Sequence, residues 1–148
     1  MRYAAALAAG SAIAFFGTLV VLIITALNSD PDLDPGVAAG VMSWVSGTLI
    51  RALGGYVAGL VNIRSGSARR VVTGAALAGG IGYAALLILL SGLAVAGGAG
   101  EFSLGDLLGF VLWPVQAALG GGLAAILHRR RISRAAAAAE RASSWAYG

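Results

Sequence analysis

The chain has 148 residues, of which 59% are hydrophobic and only 11% charged, and its formal net charge of +4 comes from ten arginines set against six acids. With a mean hydropathy of +0.88, that balance excludes an ordinary water-soluble domain, whose helices need polar faces to cover a core. Cysteine is absent, which excludes disulfides, thiol redox chemistry and thiolate metal sites.

The charges are clustered. None falls between Arg2 and Asp30, between Arg70 and Glu101, or between Asp106 and Arg129, and Arg51 alone interrupts the stretch from Asp34 to Arg64. An uncharged apolar run of about 18 residues or more can cross a hydrocarbon core of roughly 30 Å as a helix. Backbone groups in that core must be satisfied within their own segment, so the runs predict helices. They are too long and too continuous for the alternating strands of a barrel.

The first span is placed at residues 3–27. Its apolar stretch exceeds the roughly 7–15 residues of a signal-peptide core, so it is expected to be a retained span. Asn28, Pro31 and Pro35 then punctuate a short loop carrying Asp30, Asp32 and Asp34, one of which is suited to cap the next helix. The second span covers 37–63, followed by a turn with Arg64, Gly66, Arg69 and Arg70. The third covers 71–95. A glycine-rich loop over 97–105 carries Glu101 and Phe102, and the fourth span, 107–127, opens beside Asp106, which suits a helix N-terminus. It runs into His128, Arg129, Arg130 and Arg131. The domain division is therefore a transmembrane part, 1–131, and an Ala/Arg-rich cytoplasmic tail, 132–148. Alanine favours a continued helix there, with Trp145 and Tyr147 able to anchor at headgroups, but fraying into solvent is the favoured expectation. The segments AALAAG (5–10) and AALAGG (75–80) echo one another. In a chain this rich in alanine and glycine, chance explains the echo better than duplication.

Apart from Arg51, every arginine lies before the first span, between the second and third, or after the fourth, whereas the other two loops carry only acids. Short cytoplasmic loops accumulate arginine, so both termini are expected in the cytoplasm. The fold class expected is all-α: a polytopic, multi-pass protein of the cell membrane, built as a four-transmembrane-helix bundle. The arginine excess belongs to these loops and calls for no nucleic-acid partner, since no basic face is interleaved for one.

Small residues recur every four positions. Ala6, Gly10 and Ala14 do so on the first span, Gly47, Gly55 and Gly59 on the second, Gly74, Ala78 and Gly82 on the third, and Ala117, Gly121 and Ala125 on the fourth. That spacing lets helix backbones approach closely, so these residues are expected to form packing faces within the bundle or between copies. Arg51 shares the Gly47, Gly55 and Gly59 face near the middle of its span. A charge there costs about 2.5–3.5 kcal/mol on insertion scales and therefore reads as a functional candidate with a partner. No acid lies within a span. The candidate partners are Gln116, Tyr56, Tyr83, Ser46, Ser91, freed backbone carbonyls, an anion, a lipid phosphate or a partner subunit's carboxylate. A structural alternative has Arg51 snorkelling to the cytoplasmic headgroups or bonding a neighbouring helix. The placement among glycines favours an interface or polar cavity over lipid. Pro114 predicts a bend in the fourth span, and Trp44 is either an outer-interface anchor or a core filler.

His128 is the only histidine, too few for a bis-histidine haem or a catalytic zinc site, and it reads as a solvated side chain at the membrane boundary. There is no nucleophile–base set within reach, no phosphate loop and no intramembrane carboxylate of the kind that small proton-coupled exporters need. No enzyme activity and no cofactor are expected. The stretch RALGGYVAGLV (51–61), with the basic turn and glycine-rich third span after it, resembles a group of small four-helix prokaryotic membrane proteins of unknown function. The resemblance covers about the middle third of the chain and implies no mechanism. The functional expectation is an accessory or structural subunit of a larger membrane assembly, partnered by lipid and by other subunits or copies of itself. The alternative is an oligomeric channel or transporter for a small solute or anion, using Arg51.

Overall fold

The computed structural model is all-helical and describes residues 2–28, 36–97 and 104–146, with backbone alone for residues 2, 36–39, 104–106 and 144–146. Asp30, Asp32, Asp34, Pro31, Pro35, Glu101, Phe102 and Tyr147 lie outside the described residues, as do the side chains of Asp106 and Trp145. The elements are α1 (Arg2–Leu27), α2 (Gly36–Asn62), a single 3₁₀ turn (Ile63–Ser65), α3 (Ala68–Ala96), α4 (Leu104–Leu127) and α5 (Arg129–Ala146).

The first four helices are long and apolar enough to cross a membrane, and only 17% (α1) to 39% (α4) of their most apolar stretches is buried inside the molecule. Large apolar side chains such as Phe16, Leu27, Ile88, Val95 and Ile126 point outward. Water does not tolerate so continuous an apolar exterior, and lipid does. These features are those of a multi-pass membrane protein.

The four helices form a bundle in which α1 packs on α2 and α3, and α4 packs on α2 and α3. Across the bundle α2 and α3 touch as well, while α1 and α4 scarcely meet. A two-fold relating the α1–α2 and α3–α4 hairpins would make those two distances equal, so the arrangement lacks the symmetry of a duplication.

Adjacent small residues explain the unequal packing. Helix α1 buries one row, Ala6, Gly10, Ala14 and Thr18, whereas α2 buries the doublets Gly54–Gly55 and Ala58–Gly59. Neighbours in a helix point about 100° apart, so a repeated doublet gives two faces. On α2 one row meets α1: a Cβ at Gly54 would lie 2.8 Å from the Gly10 carbonyl oxygen, and one at Gly10 would lie 2.9 Å from that of Gly54. The other row meets α4, where a Cβ at Gly55 would overlap the Ala117 carbonyl and one at Gly120 the Ala52 carbonyl. On α3, Gly79 faces Trp113 and Ala117 of α4 and Gly82 faces Ser11 and Ala14 of α1. Dispersion between backbones this close holds such helices together, because lipid leaves little hydrophobic drive between them.

Two boundaries differ from the sequence reading. Arg69 and Arg70 are not in the turn but in the first turn of α3, which starts at Ala68 because the Ser67 hydroxyl caps it, accepting from the Arg70 N–H at 3.5 Å. Their charges oppose the helix dipole, and their exposure to solvent screens that cost. As far as Ala146 the tail is helical, and it does not continue α4. A turn at His128 starts a separate helix, α5, which lies on the 3₁₀ turn between α2 and α3. Ile132 holds it there, buried against Ile63, Val71 and Ala125. Gly66 makes the approach possible. Its φ is +70°, and a Cβ on it would stand 3.0 Å from the Ala136 backbone.

Candidate functional site around Arg51

Arg51 is 8% exposed and faces the bundle interior. Helical side chains lean toward the N-terminus of their helix, and here the guanidinium folds back one turn onto Gly47. A Cβ at Gly47 would sit 2.9 Å from Nη2, with all its nearest atoms belonging to Arg51. Gly47 therefore makes room for a side chain, while Gly55 and Gly59 of the same face meet α4. The fold-back also directs the charge away from the arginine-rich end of the bundle. This direction excludes snorkelling toward the arginine-rich end of the bundle.

The guanidinium lies over the indole of Trp113 on α4, 4.7 Å from the ring centroid. Trp113 is buried in turn against Tyr83, with ring centroids 5.0 Å apart, in a cluster with Ala14 and Leu86. Phe110 closes edge-on against Tyr83 at 4.9 Å. A desolvated cation–π contact stabilises by about 2 kcal/mol. That offsets much of the roughly 2.5–3.5 kcal/mol insertion penalty of a central charge, so a buried arginine without an acid is tolerable here.

Gln116 sits one turn beyond Trp113 and is also buried. Its Nε2 donates to Thr48 Oγ1 on α2 at 3.1 Å, and the Thr48 hydroxyl donates to the Trp44 carbonyl at 2.9 Å. It bonds α4 to α2 through Thr48, and no bond joins it to Arg51. Three buried polar atoms of this layer have no hydrogen-bond partner among the described residues: Arg51 Nε, Gln116 Oε1 and Thr18 Oγ1.

The other candidate partners are engaged elsewhere. Tyr56 OH shares a hydrogen bond with His128 Nε2 at 3.3 Å, joining α2 to the α4–α5 turn. His128 is thus half-buried and paired, where a fully solvated side chain was expected. Ser46 donates back to the Met42 and Ser43 carbonyls, and Ser91 stands in the poorly buried last turns of α3. Trp44 is 58% exposed, which excludes the core-filler reading. Helix α4 runs unbroken through Pro114, whose ring faces Gly80 of α3 at 3.5 Å from that glycine's Cβ position.

Of the remaining small residues, Gly59 and Gly121 meet where α2, α3 and α4 converge: the Cβ positions lie 3.4 Å from the Gly121 Cα and 2.5 Å from the Ala75 Cβ respectively. Gly74 faces the Asn62 amide at 2.8 Å, and that amide donates to the Arg70 carbonyl at 3.0 Å. Sequence reasoning passed over Trp113. The available signal was its spacing, since Trp113, Gln116, Ala117 and Gly120 fall on one helical stripe. Among the described residues no cluster of three or more His, Cys, Asp or Glu could hold a metal ion. No protein-family model, curated protein or solved structure matches the chain.

Proposed function

We propose that the chain is an accessory or structural subunit of a larger assembly in the cell membrane, with both termini and α5 in the cytoplasm. The observation that carries this reading is the enclosure of Arg51. The one intramembrane charge on which a transport pathway would be built is 8% exposed, folded onto Gly47 and covered by Trp113. Copies arranged around a shared lumen would have to present that charge on the outside of the bundle. Glycine-mediated backbone contact between α2 and α4 leaves the interior packed, which suits a rigid element whose apolar exterior is offered to lipid and neighbouring subunits. Arginines at one end of the described bundle, Arg64, Arg69, Arg70, Arg129, Arg130, Arg131 and Arg134, support the cytoplasmic placement.

A second reading, an oligomeric channel or transporter for a small anion, draws on the partnerless Arg51 Nε, Gln116 Oε1 and Thr18 Oγ1. A layer of unmet polar atoms is costly unless something visits it. Mild-detergent purification of the tagged chain from its own membranes, followed by native mass spectrometry, separates the two. Unrelated membrane subunits at fixed stoichiometry are the expected result. A clean homo-oligomer whose reconstituted anion flux disappears in Arg51→Leu would replace the first reading by the second.

A further inference from the structure

The end of the bundle that carries α5 holds a basic cleft, next to a second hollow beside His128 and Arg130 with which it shares Arg131 and Arg134. The cleft is lined by Leu60, Ile63 and Arg64 on one side and by Arg131, Arg134 and Ala135 of α5 on the other. Arg131 and Arg134 are three residues apart and share a helix side, and with Arg64 they line the same cleft. The apolar floor is fixed, because Ile63 is packed against Ile132, Val71 and Ala125, and Leu60 lies against that cluster. No acid lines the cleft: Glu140 lines a different hollow, with Arg129 and Ile132. Among the described residues none of the three guanidinium groups has an ion-pair or hydrogen-bond partner.

We propose that this cleft binds the phosphate of an anionic phospholipid, gripped by Arg64, Arg131 and Arg134, with the acyl chains descending past Leu60 and Val61. Guanidinium groups match phosphate oxygens in pairs, and basic pockets at the ends of membrane helices suit anionic headgroups. The apolar floor selects a lipid over a free anion: inorganic phosphate gains nothing from Leu60 and Ile63, whereas a lipid brings chain and charge together. Val61, 39% exposed and next along α2, continues the apolar path into the lipid-facing surface. The bound lipid would also brace α5 against the 3₁₀ turn, since its phosphate joins arginines from both.

The site rests on the reading of the bundle as membrane-inserted. Failure of that reading would show as a chain that stays dispersed without detergent, which is distinct from a detergent-held bundle that lacks lipid preference. The experiment counts lipids retained by the purified full chain in native mass spectrometry, with phosphatidylglycerol and phosphatidylcholine offered together. The triple variant Arg64→Gln, Arg131→Gln, Arg134→Gln is compared with Arg69→Gln, Arg70→Gln, Arg130→Gln, which removes the same charge outside the cleft. The cleft variant should lose the phosphatidylglycerol preference by about tenfold or more, as three near-surface arginines warrant, while the matched variant stays within about threefold of the parent. Equal losses would mean a diffuse field, and no loss would mean no site; either overturns the proposal. Should the cleft variant fail to fold, Ala135→Glu places a carboxylate in the cleft and keeps all three arginines. It should abolish the preference, and a retained preference overturns the proposal. Inorganic phosphate at millimolar concentration should leave the lipid bound, and displacement by it would move the ligand from membrane to solution.

Discussion

The guanidinium of Arg51 lies 4.7 Å from the centre of the Trp113 ring, and the two residues come from different helices that run in the same direction through the bundle. Trp113 thereby does for Arg51 what an acid would do in a soluble core, and does it without bringing a second charge into a membrane. Gly47 completes the arrangement, since a side chain there would occupy the space that the guanidinium fills. The α2–α4 pair is accordingly held at two levels: backbone against backbone at Gly55–Ala117 and Gly120–Ala52, and cation against ring one turn nearer the N-termini of the two helices.

The backbone contacts predict a sharp contrast between glycines. Gly55→Ala and Gly120→Ala each put a Cβ into a neighbouring carbonyl, which cannot yield as a side-chain tip can. Each should lower unfolding stability in mild detergent by about 2 kcal/mol or more, within the range of overpacked cores. Gly92→Ala and Gly122→Ala meet nothing within 4 Å and should be neutral or stabilising by up to about 1 kcal/mol through helix propensity. Equal behaviour of the two pairs would refute the α2–α4 contact.

Helix α5 is predicted to release as a unit. Gly66→Ala strains a positive φ and pushes on Ala136, while Ile132→Ala empties the large apolar contact that α5 makes with the buried cluster. Each should cost about 1–3 kcal/mol locally and speed amide exchange over 129–143 by tenfold or more, with α1 and α4 unchanged. Unaltered exchange in α5 would show that it does not depend on this docking.

The spans were legible because length and the absence of charge are enough to mark them, and all four helices fall within a few residues of the runs read from sequence. Packing was only half legible. Reading one small residue every four positions finds Gly55 and Gly59 but overlooks Gly54 and Ala58, although the doublets are what allow α2 to face α1 and α4 at once. Docking of α5 was hidden because one isoleucine between Arg131 and Ser133 is a weak apolar signal, and its meaning depends on Gly66, far away in the chain. At the candidate site the sequence singled out Arg51 and Gln116 by chemistry. Which residue covers the arginine depends on how α2 and α4 are staggered, and no single-chain periodicity records that.

Orientation is predicted from the arginines and can be tested without background labelling, because the chain has no cysteine of its own. Single cysteines at Ser29 and Ser103, which lie outside the described residues, should react with an impermeant maleimide added to whole cells. A cysteine at Ser67, the cap of α3 beside Gly66, should react only after the membrane is opened. The reverse pattern would invert the topology and place α5 outside.

The enclosure of Arg51 by Trp113 is tested most directly by a double-mutant cycle on unfolding stability in mild detergent, using Arg51→Leu, Trp113→Leu and the pair. Residues in contact show a coupling that separate residues lack. The contact predicts a favourable coupling of about 1–2 kcal/mol, with Arg51→Lys retaining part of it because a compact ammonium covers the ring less well than a planar guanidinium. Strictly additive losses, with Arg51→Leu as stable as the parent, would contradict the account, since they would place the Arg51 charge away from the ring.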